Sequence, residues 1–462
     1  MSERTHIVGA GLAGLSAAVR IAAEGCPVTL YEAGPQAGGR CRSYFDGELG
    51  VRIDNGNHLL LAGNRAALDY VARIGARDTL CGPPEAAFPF IDSESGRRWT
   101  LRPNRRAVPW WIFSPARRVP QTRARDYLAV LKLAGARPEA TVGRVLDRHT
   151  VLFRRLWAPL AVAALNTEVE RASALLFWHI LAETLGHGGA ACRPLVPREG
   201  LSESLVDPAL ARLRALGAEI RFGARVRRLG FAGERASELV FDEDSIPLGA
   251  GDQVVLAVPA PVAARLVPGL VAPDAFAPIV NAHFCVVPPA GSPLFIGVVG
   301  GAAEWIFRKP RVLSVTVSAA ERFVDRPAEE LGGLFWRDVA LAYGLPATPV
   351  PPVRILKERR ATFLASPEQL RLRPRVTTGW TNLHLAGDYV ETGLPGTIEG
   401  AIRSGFAAAG LVLDARSRRG AAARGWDRRP SRSLGGIART ARRRRPPAPG
   451  TPEEQQEQRV PP

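Results

Sequence analysis

Three glycines and one glutamate near the N-terminus have the types and spacing of a dinucleotide-binding site. The glycines follow a short apolar segment and open a helical pattern, and the glutamate ends the next apolar segment. Glycine lets the backbone turn and approach a pyrophosphate, whose charge a helix N-terminus attracts. A carboxylate after the second strand accepts hydrogen bonds from ribose hydroxyls. The residues predicted to bind the dinucleotide here are Gly9, Gly11, Leu12, Ala13, Gly14, Glu32 and Ala33.

NAD and FAD both fit this first motif, so another feature must distinguish them. Gly38-Gly39-Arg40 brings flexible backbone and a cation toward the dinucleotide. Near the other end, an apolar segment stops at Gly387-Asp388, and Pro395-Gly396-Thr397-Ile398 opens another helix. The N-terminus of that helix would stabilise negative charge on a reduced flavin. Together these residues resemble the FAD motifs of the amine oxidase and carotenoid desaturase superfamily, and the resemblance implies FAD.

The middle of the chain resembles a narrower family of that superfamily. Trp157–Thr167, Pro194–Pro197 and Ala361–Phe363 are similar to hydroxysqualene dehydroxylases, and the likeness runs from residue 6 to about residue 412. The resemblance implies that reduced flavin transfers a hydride to hydroxysqualene, which loses its allylic hydroxyl and becomes squalene for hopanoid synthesis. It also implies an isoprenoid lipid partner, contacted by Trp157, Leu160 and Asn166, and leaves the reductant of FAD unknown.

Loss of a hydroxyl as water requires water exclusion and an acid that protonates the leaving oxygen. The candidate acids are His58, Glu168, His179 and Glu183. Each has an ordinary alternative as a satisfied or exposed polar side chain. In the superfamily a glycine-containing loop passes the flavin, which here would place Gly56 and Asn57 beside FAD, with Val226 as a further contact. No metal site is predicted.

These motifs predict an α/β fold, with a FAD-binding Rossmann-like domain of the glutathione-reductase type interleaved with an α+β substrate domain. Leu/Ala/Trp-rich periodicity between residues 125 and 190 predicts a helical layer, whose apolar side chains could line a tunnel or form a packing core. The predicted parts are 1–100, 196–270 and 376–413 for FAD binding, 101–195 and 271–375 for the helical and sheet parts of the substrate domain, and 414–462 for a disordered basic and proline-rich tail.

Much of the net charge of +17 lies near the C-terminus, where residues 414–450 contain twelve arginines and two aspartates. Arg442–Arg445 could bind nucleic acid or acidic lipid, but no aromatic stacking platform accompanies these arginines, so nucleic acid is not the predicted partner. Five scattered cysteines without ligand spacing predict neither disulfides nor zinc, which favours a cytoplasmic setting.

Residues 105–118 place the four bulky side chains of Trp110–Phe113 between two arginine pairs. Tryptophan favours the lipid headgroup layer, and arginine favours anionic lipid. The segment therefore predicts a peripheral contact with the inner face of the cell membrane. The alternative is an internal segment with solvated arginines at its ends.

Two other enzyme classes stay open at this point. A carotenoid or phytoene-type desaturase would oxidise a polyene on the same scaffold. A FAD amine oxidase is less favoured, because Leu394 stands where resembling amine oxidases often have an aromatic residue. A nucleic-acid-binding module is the alternative that is not an enzyme. The sequence contains neither GxSxG nor GxxxxGK[ST], which excludes the serine hydrolase and phosphoryl-transfer motifs.

Overall fold

The computed structural model describes residues 3–426. Residues 3–416 form one compact unit, which contains the site described below, and residues 417–426 belong to a second unit. The strands are β1 (Thr5–Val8), β2 (Val28–Tyr31), β3 (Ser43–Asp46), β4 (Val51–Asp54), β5 (Leu60–Leu61), β6 (Leu80–Cys81), β7 (Phe88–Asp92), β8 (Arg98–Leu101), β9 (Pro194–Pro197), β10 (Glu219–Arg221), β11 (Arg228–Ala232), β12 (Arg235–Val240), β13 (Ser245–Pro247), β14 (Gln253–Leu256), β15 (Phe276–Cys285), β16 (Phe295–Val299), β17 (Trp305–Lys309), β18 (Val312–Val317), β19 (Val353–Phe363) and β20 (Leu383–Leu385).

The helices are α1 (Leu12–Ala23), α2 (Arg65–Arg73), α3 (Val142–Val145), α4 (Ala158–Leu165), α5 (Ala174–Glu183), α6 (Gly189–Cys192), α7 (Leu201–Leu205), α8 (Asp207–Ala215), α9 (Ala260–Leu266), α10 (Ala328–Tyr343), α11 (Pro367–Arg371) and α12 (Ile398–Trp426). No helix among the described residues is long and apolar enough to cross a membrane.

A parallel sheet in the order β10-β2-β1-β14-β20 gathers the predicted dinucleotide motifs at one edge. Its central strands β1, β2 and β14 are buried along their whole length, as expected for parallel strands covered on both faces. Because all five strands run the same way, the residues that follow β1, β2 and β20 meet at the carboxyl edge. Gly9, Glu32 and Gly387 lie there, although the third is far from the other two in the chain.

A second sheet of seven strands has the order β19-β15-β18-β17-β16-β7-β8, with antiparallel pairing except between β16 and β7. One face packs on α10 through an apolar core that includes Val315 and Phe335. Strands β7 and β8, from the predicted first FAD-binding part, join this sheet beside β16, from the predicted sheet part of the substrate domain. The smaller sheets are β11-β12-β13, β3-β4 and β5-β9-β6.

The helical layer consists of α3 to α6 and several short turns, within the predicted helical part at 101–195. It includes 3-10 helices at Trp110–Phe113 and Ala124–Leu133, and a π-helical turn at Phe153–Trp157 that leads into α4. π-Helical turns often occur at functional sites. Here the turn delivers the chain to Asn166, which ends α4 in a left-handed conformation with φ of 48°.

The last helix, α12, continues to Trp426, beyond the predicted boundary at residue 414. Alanine and arginine dominate this stretch, and both favour helix. Residues 427–462, with Arg442–Arg445, lie outside the described residues, so the predicted disorder there stays a prediction.

Helices α1 and α12 cross closely at Gly405, where a Cβ would lie 2.2 Å from both the Ala13 carbonyl oxygen and Ser16 Oγ. We expect Gly405→Ala to lower the free energy of unfolding by about 1–3 kcal/mol through overpacking. Gly410→Ala on the same helix is the matched control, since a Cβ there meets nothing within 4 Å. It should raise stability by about 0.4–1 kcal/mol. Denaturant titration distinguishes the two, and equal effects would contradict the close crossing.

Candidate functional site

Two of the three motif glycines in the turn between β1 and α1 cannot be replaced by a residue with a Cβ without strain or a clash. Gly9 has φ of 104°, and a Cβ on Gly14 would lie 1.9 Å from the Gly9 carbonyl oxygen. At Gly11, by contrast, a Cβ would meet nothing within 4 Å, so open space lies in front of the turn. No side chain caps the start of α1, so its first N–H groups lack a side-chain acceptor. The turn therefore fits a pyrophosphate group.

Glu32 is held beside this turn by two backbone N–H donors. Ala10 donates to Glu32 Oε2 and Gly34 donates to Oε1, each at 2.8 Å. A carboxylate oxygen has a second lone pair, so both oxygens can still accept ribose hydroxyls. The segment that precedes Val226 runs alongside, because Ala224 N–H bonds the Glu32 carbonyl at 2.8 Å. Val226 itself is buried in the adjoining apolar core.

The predicted glycine pair packs against the first turn. Gly38 N–H donates to the Ala10 carbonyl at 2.8 Å, and a Cβ on Gly39 would lie 3.5 Å from Gly11 Cα. Both glycines have positive φ. Arg40 then donates to Asp388 Oδ1 at 2.7 Å and to the Ala361 carbonyl at 2.6 Å. The loop thus joins the N-terminal motif to β19 and to the second motif.

The second motif is compact where β20 turns toward α12. A Cβ on Gly396 would lie 3.0 Å from both Asp388 Oδ2 and Thr362 Cβ. Thr397 caps α12, because its Oγ1 accepts from Gly400 N–H at 3.1 Å. Pro395 and Ile398 flank this cap and are buried. The arrangement places a helix N-terminus beside Asp388, in reach of Arg40.

Two buried charged residues organise the second motif and are absent from the predictions. Arg373 is 1% exposed at its side chain and donates to the carbonyls of Asp388, Tyr389 and Val390. Glu399 accepts the Ala66 and Ala67 N–H groups at 3.1 and 2.8 Å and so caps α2. Glu399 lies in the motif and could have been noticed there. Arg373 lies outside every motif, and nothing local marks it.

The loop at residues 54–58 faces the seven-stranded sheet. Asn57 Nδ2 donates to Ser314 Oγ at 2.7 Å and to Thr316 Oγ1 at 2.9 Å. A Cβ on Gly56 would lie 3.4 Å from Asn281 Nδ2. The Asn57 amide nitrogen is therefore bonded to β18, whereas its Oδ1 is buried without a hydrogen-bond partner among the described residues.

The candidate acids lie in different surroundings. His58 Nε2 is 3.7 Å from Cys41 Sγ, and burial lowers the pKa of His58 to about 4, so its imidazole is neutral at pH 7. Glu183 pairs with Arg403 at 2.8 Å, and this hydrogen bond lowers the pKa of Glu183. His179 is exposed on α5. Glu168 is exposed but partly enclosed, which raises its pKa. Among His58, Glu168 and Glu183, the pKa is shifted in favour of the protonated form at Glu168 alone.

The predicted substrate residues also lie in different surroundings. Trp157 is 4% exposed and, with Leu160, packs in the core of the helical layer. Asn166 is at a junction instead. Its Oδ1 accepts from Ala319 N–H at 2.7 Å, and its Nδ2 donates to Thr362 Oγ1 at 2.9 Å. Since Thr362 lies against Gly396, Asn166 connects the helical layer to the second motif.

Among residues 3–426, no group of His, Cys, Asp and Glu side chains is arranged to hold a metal ion.

Comparison with known proteins agrees with this geometry. The family model described as flavin containing amine oxidoreductase matches residues 12–413. A hydroxysqualene dehydroxylase from Rhodopseudomonas palustris is 49% identical over 416 residues, which cover 90% of this chain and 99% of the relative. Another from Sinorhizobium fredii is 48% identical and covers 89% of this chain and 99% of its own length.

Solved structures share the fold. Putrescine oxidase bound to putrescine matches with a TM-score of 0.67 at 16% identity, over 90% of this chain and 99% of that chain. The predicted α/β fold class and the predicted FAD cofactor are confirmed. The chain is a FAD-dependent oxidoreductase that belongs to the flavin containing amine oxidoreductase family and, within it, to the hydroxysqualene dehydroxylases.

Proposed function

We propose that this protein removes the hydroxyl of hydroxysqualene to give squalene in hopanoid biosynthesis. The observation that carries the proposal is the near full-length identity of 49% and 48% to two hydroxysqualene dehydroxylases. The relatives that match this chain at this identity and coverage are named hydroxysqualene dehydroxylases. A desaturase and an amine oxidase are therefore not favoured. When bound and reduced, FAD supplies the hydride.

The FAD-binding residues follow from the carboxyl edge of the parallel sheet. In this proposal the turn at Gly9, Gly11 and Gly14 receives the pyrophosphate, and Glu32 binds the ribose. The Gly38-Gly39 backbone and Asp388 border the middle of the cofactor. The start of α12 at Thr397 lies toward the flavin. What supports this assignment is the open space at Gly11, together with the fixed carboxylate of Glu32.

The substrate's long apolar chain needs an apolar wall near the flavin. Three aromatic side chains on the seven-stranded sheet form such a wall, namely Phe295, Trp305 and Phe307. The ring centroid of Phe295 lies 6.1 Å from that of Trp305 and 6.2 Å from that of Phe307. By strand register, Trp305 and Phe307 lie on the same face as Thr316 and Ser314, which Asn57 contacts. We therefore assign the isoprenoid to this aromatic wall, and we assign Trp157 and Leu160 to supporting the helical layer behind it.

The proposed reaction can be tested with the holoenzyme reduced under anaerobic conditions. Added hydroxysqualene should reoxidise the flavin and yield one squalene per flavin, as measured by absorbance and product mass. Gly11→Leu is the control, because its side chain would occupy the open space, prevent FAD binding and abolish turnover. Flavin that stays reduced, or oxidised holoenzyme that becomes reduced by phytoene, would reject the dehydroxylase assignment.

Membrane contact follows from an exposed apolar ridge, which we define as Val108, Trp110, Phe113, Leu128 and Leu131. Each of these side chains is 56–66% exposed. All ridge residues except Val108 lie on two 3-10 helices, which contact each other where Trp111 packs on Tyr127 at 5.1 Å between ring centroids. In the segment predicted to contact the membrane, Trp110 and Phe113 are thus exposed, whereas Trp111 and Ile112 are buried.

Basic side chains surround the ridge, among them the exposed Arg105, Arg106, Arg125 and Lys132. Exposed apolar groups bordered by cations fit the headgroup layer of an anionic membrane. We propose that the ridge rests on the inner face of the cell membrane, where a lipid substrate would enter without crossing water.

Flotation with anionic liposomes tests the ridge. The double variant Trp110→Ser, Phe113→Ser should bind at least roughly 100-fold more weakly, since the two large apolar side chains together contribute about 3–6 kcal/mol. Val287→Ser is the matched control, as Val287 is 72% exposed but outside the ridge. Both variants should also be compared in a chain that ends at Trp426, which removes the basic tail. Unchanged flotation of the double variant in that shorter chain would contradict the proposal.

A further inference from the structure

A cavity of about 760 Å³ opens between α2 and the small sheet β5-β9-β6. Its volume lies within the range of about 300–1,000 Å³ that is typical of ligand sites. The half-buried Leu68 and Leu80 line it, together with the buried Leu195 of β9. The wall of the cavity also contains arginines, namely Arg65, Arg77, Arg193 and Arg198. The cavity thus combines an apolar lining with four cations.

These four arginines carry charge that nothing nearby neutralises. Their guanidinium groups have no hydrogen-bond or ion-pair partner among residues 3–426. The acidic residue in the cavity wall, Asp69, is already paired with Arg73 at 2.7 Å. Arginine binds phosphate oxygens through paired N–H donors and is well suited to phosphate recognition. The cavity is therefore suited to an anion, and above all to a phosphate group.

The arginines stand in two pairs, one at each end of β9. Arg193 directly precedes this strand, and Arg198 directly follows it. Arg65 lies beside the first, because the Ala62 N–H bonds the Arg193 carbonyl at 2.9 Å. Arg77 lies beside the second, because the Arg198 N–H bonds the carbonyl two residues after Arg77 at 2.8 Å. Cations from both ends of the strand thus border the same cavity.

The foot of the ridge packs close to one end of the cavity. Asn104 Nδ2 donates to the Val108 carbonyl of the ridge at 2.9 Å. The Asn104 carbonyl in turn accepts the Gly189 N–H at the start of α6 at 2.7 Å. This short helix ends at Cys192, directly before Arg193. The cavity therefore lies near the surface that we propose to meet the membrane.

The strands that line the cavity also pack against the aromatic wall. Leu195 lines the cavity, whereas the side chain of its neighbour Val196 points to the other face of β9. Val196 belongs to one apolar cluster with Phe295 and Phe307 of the wall. Cys81 of β6 lines the cavity and packs against the same cluster. A molecule in the cavity would thus be separated from the wall by β6 and β9.

We propose that this cavity binds the phosphate headgroup of an anionic phospholipid, with the first carbons of its acyl chains on the apolar lining. The inference rests on the membrane contact within the proposed function. A phosphodiester matches the arginines, and an acyl chain matches Leu68, Leu80 and Leu195. A free phosphate ion would leave the apolar lining unused. An acidic protein would need a larger surface than this cavity, since stable interfaces bury about 800 Å² on each partner.

Titration of the holoenzyme with dihexanoylphosphatidylglycerol tests the site without a bilayer, because this short-chain lipid is a dissolved monomer below its critical micelle concentration. Calorimetry should show saturable binding. Two double variants remove the cations at either end of β9, namely Arg65→Gln, Arg193→Gln and Arg77→Gln, Arg198→Gln. Each should bind the lipid about 10- to 100-fold more weakly, the loss expected for hydrogen bonds between charged groups. If one of them does not fold, the other still tests the proposal.

Two further double variants are the controls. Arg212→Gln, Arg214→Gln removes the same charge at exposed positions of α8 outside the cavity and should bind the lipid like the wild type. The ridge variant Trp110→Ser, Phe113→Ser should also keep this affinity, although its flotation is weakened. Binding of the monomeric lipid thus distinguishes the cavity from the ridge. It is measured without turnover, so a failure of the cavity site and a failure of the dehydroxylation are distinguishable.

Several results would overturn the proposal. A wild type that does not bind the short-chain lipid would do so, and so would an equal loss of affinity in the α8 variant. Inorganic phosphate should bind more weakly than the lipid, and equal affinity would assign the cavity to a free phosphate ion. A polyglutamate peptide that binds through the same arginines in place of the lipid would assign it to an acidic protein.

Discussion

The Arg40 guanidinium joins three distant segments of the chain at one point. It bonds Asp388 Oδ1 at 2.7 Å and the Ala361 carbonyl at 2.6 Å, while its own loop packs on the glycine turn after β1. Asp388 is 8% exposed, and an isolated carboxylate so enclosed would be costly without a partner. The carboxyl edge of the parallel sheet and the end of β19 in the seven-stranded sheet therefore depend on the same guanidinium group.

Further buried charges extend this junction. Arg373 holds the backbone after Asp388, and Glu399 connects the first turn of α12 to the start of α2. Asn166 adds the helical layer through Thr362. Each link uses a polar group that is largely removed from water, where an unsatisfied partner is expensive. The second motif is thus positioned by side chains from several parts of the chain.

The sequence predicted best what depends on local geometry. The glycine turns, Glu32 and the start of α12 follow from residue types at neighbouring positions, and so does the helical layer. The loop at residues 54–58 shows the limit, because nothing in its sequence indicates that Asn57 bonds Ser314 of a strand formed far along the chain. Trp157 and Trp305 are equally apolar, yet only strand register places the latter on the face that Asn57 contacts. Arg373 acquires its role solely from the carbonyls that folding brings to it.

We propose that Arg40 and Asp388 act as one unit in assembling the FAD site, and a double-mutant cycle on FAD affinity tests this most directly. Arg40→Met and Asp388→Asn should each weaken FAD binding by about 10- to 100-fold, the range expected for a hydrogen bond between charged groups. The double variant should bind FAD no more weakly than the poorer single variant, because the pair is already broken. Losses that multiply in the double variant would show that the two residues act independently and would contradict the account.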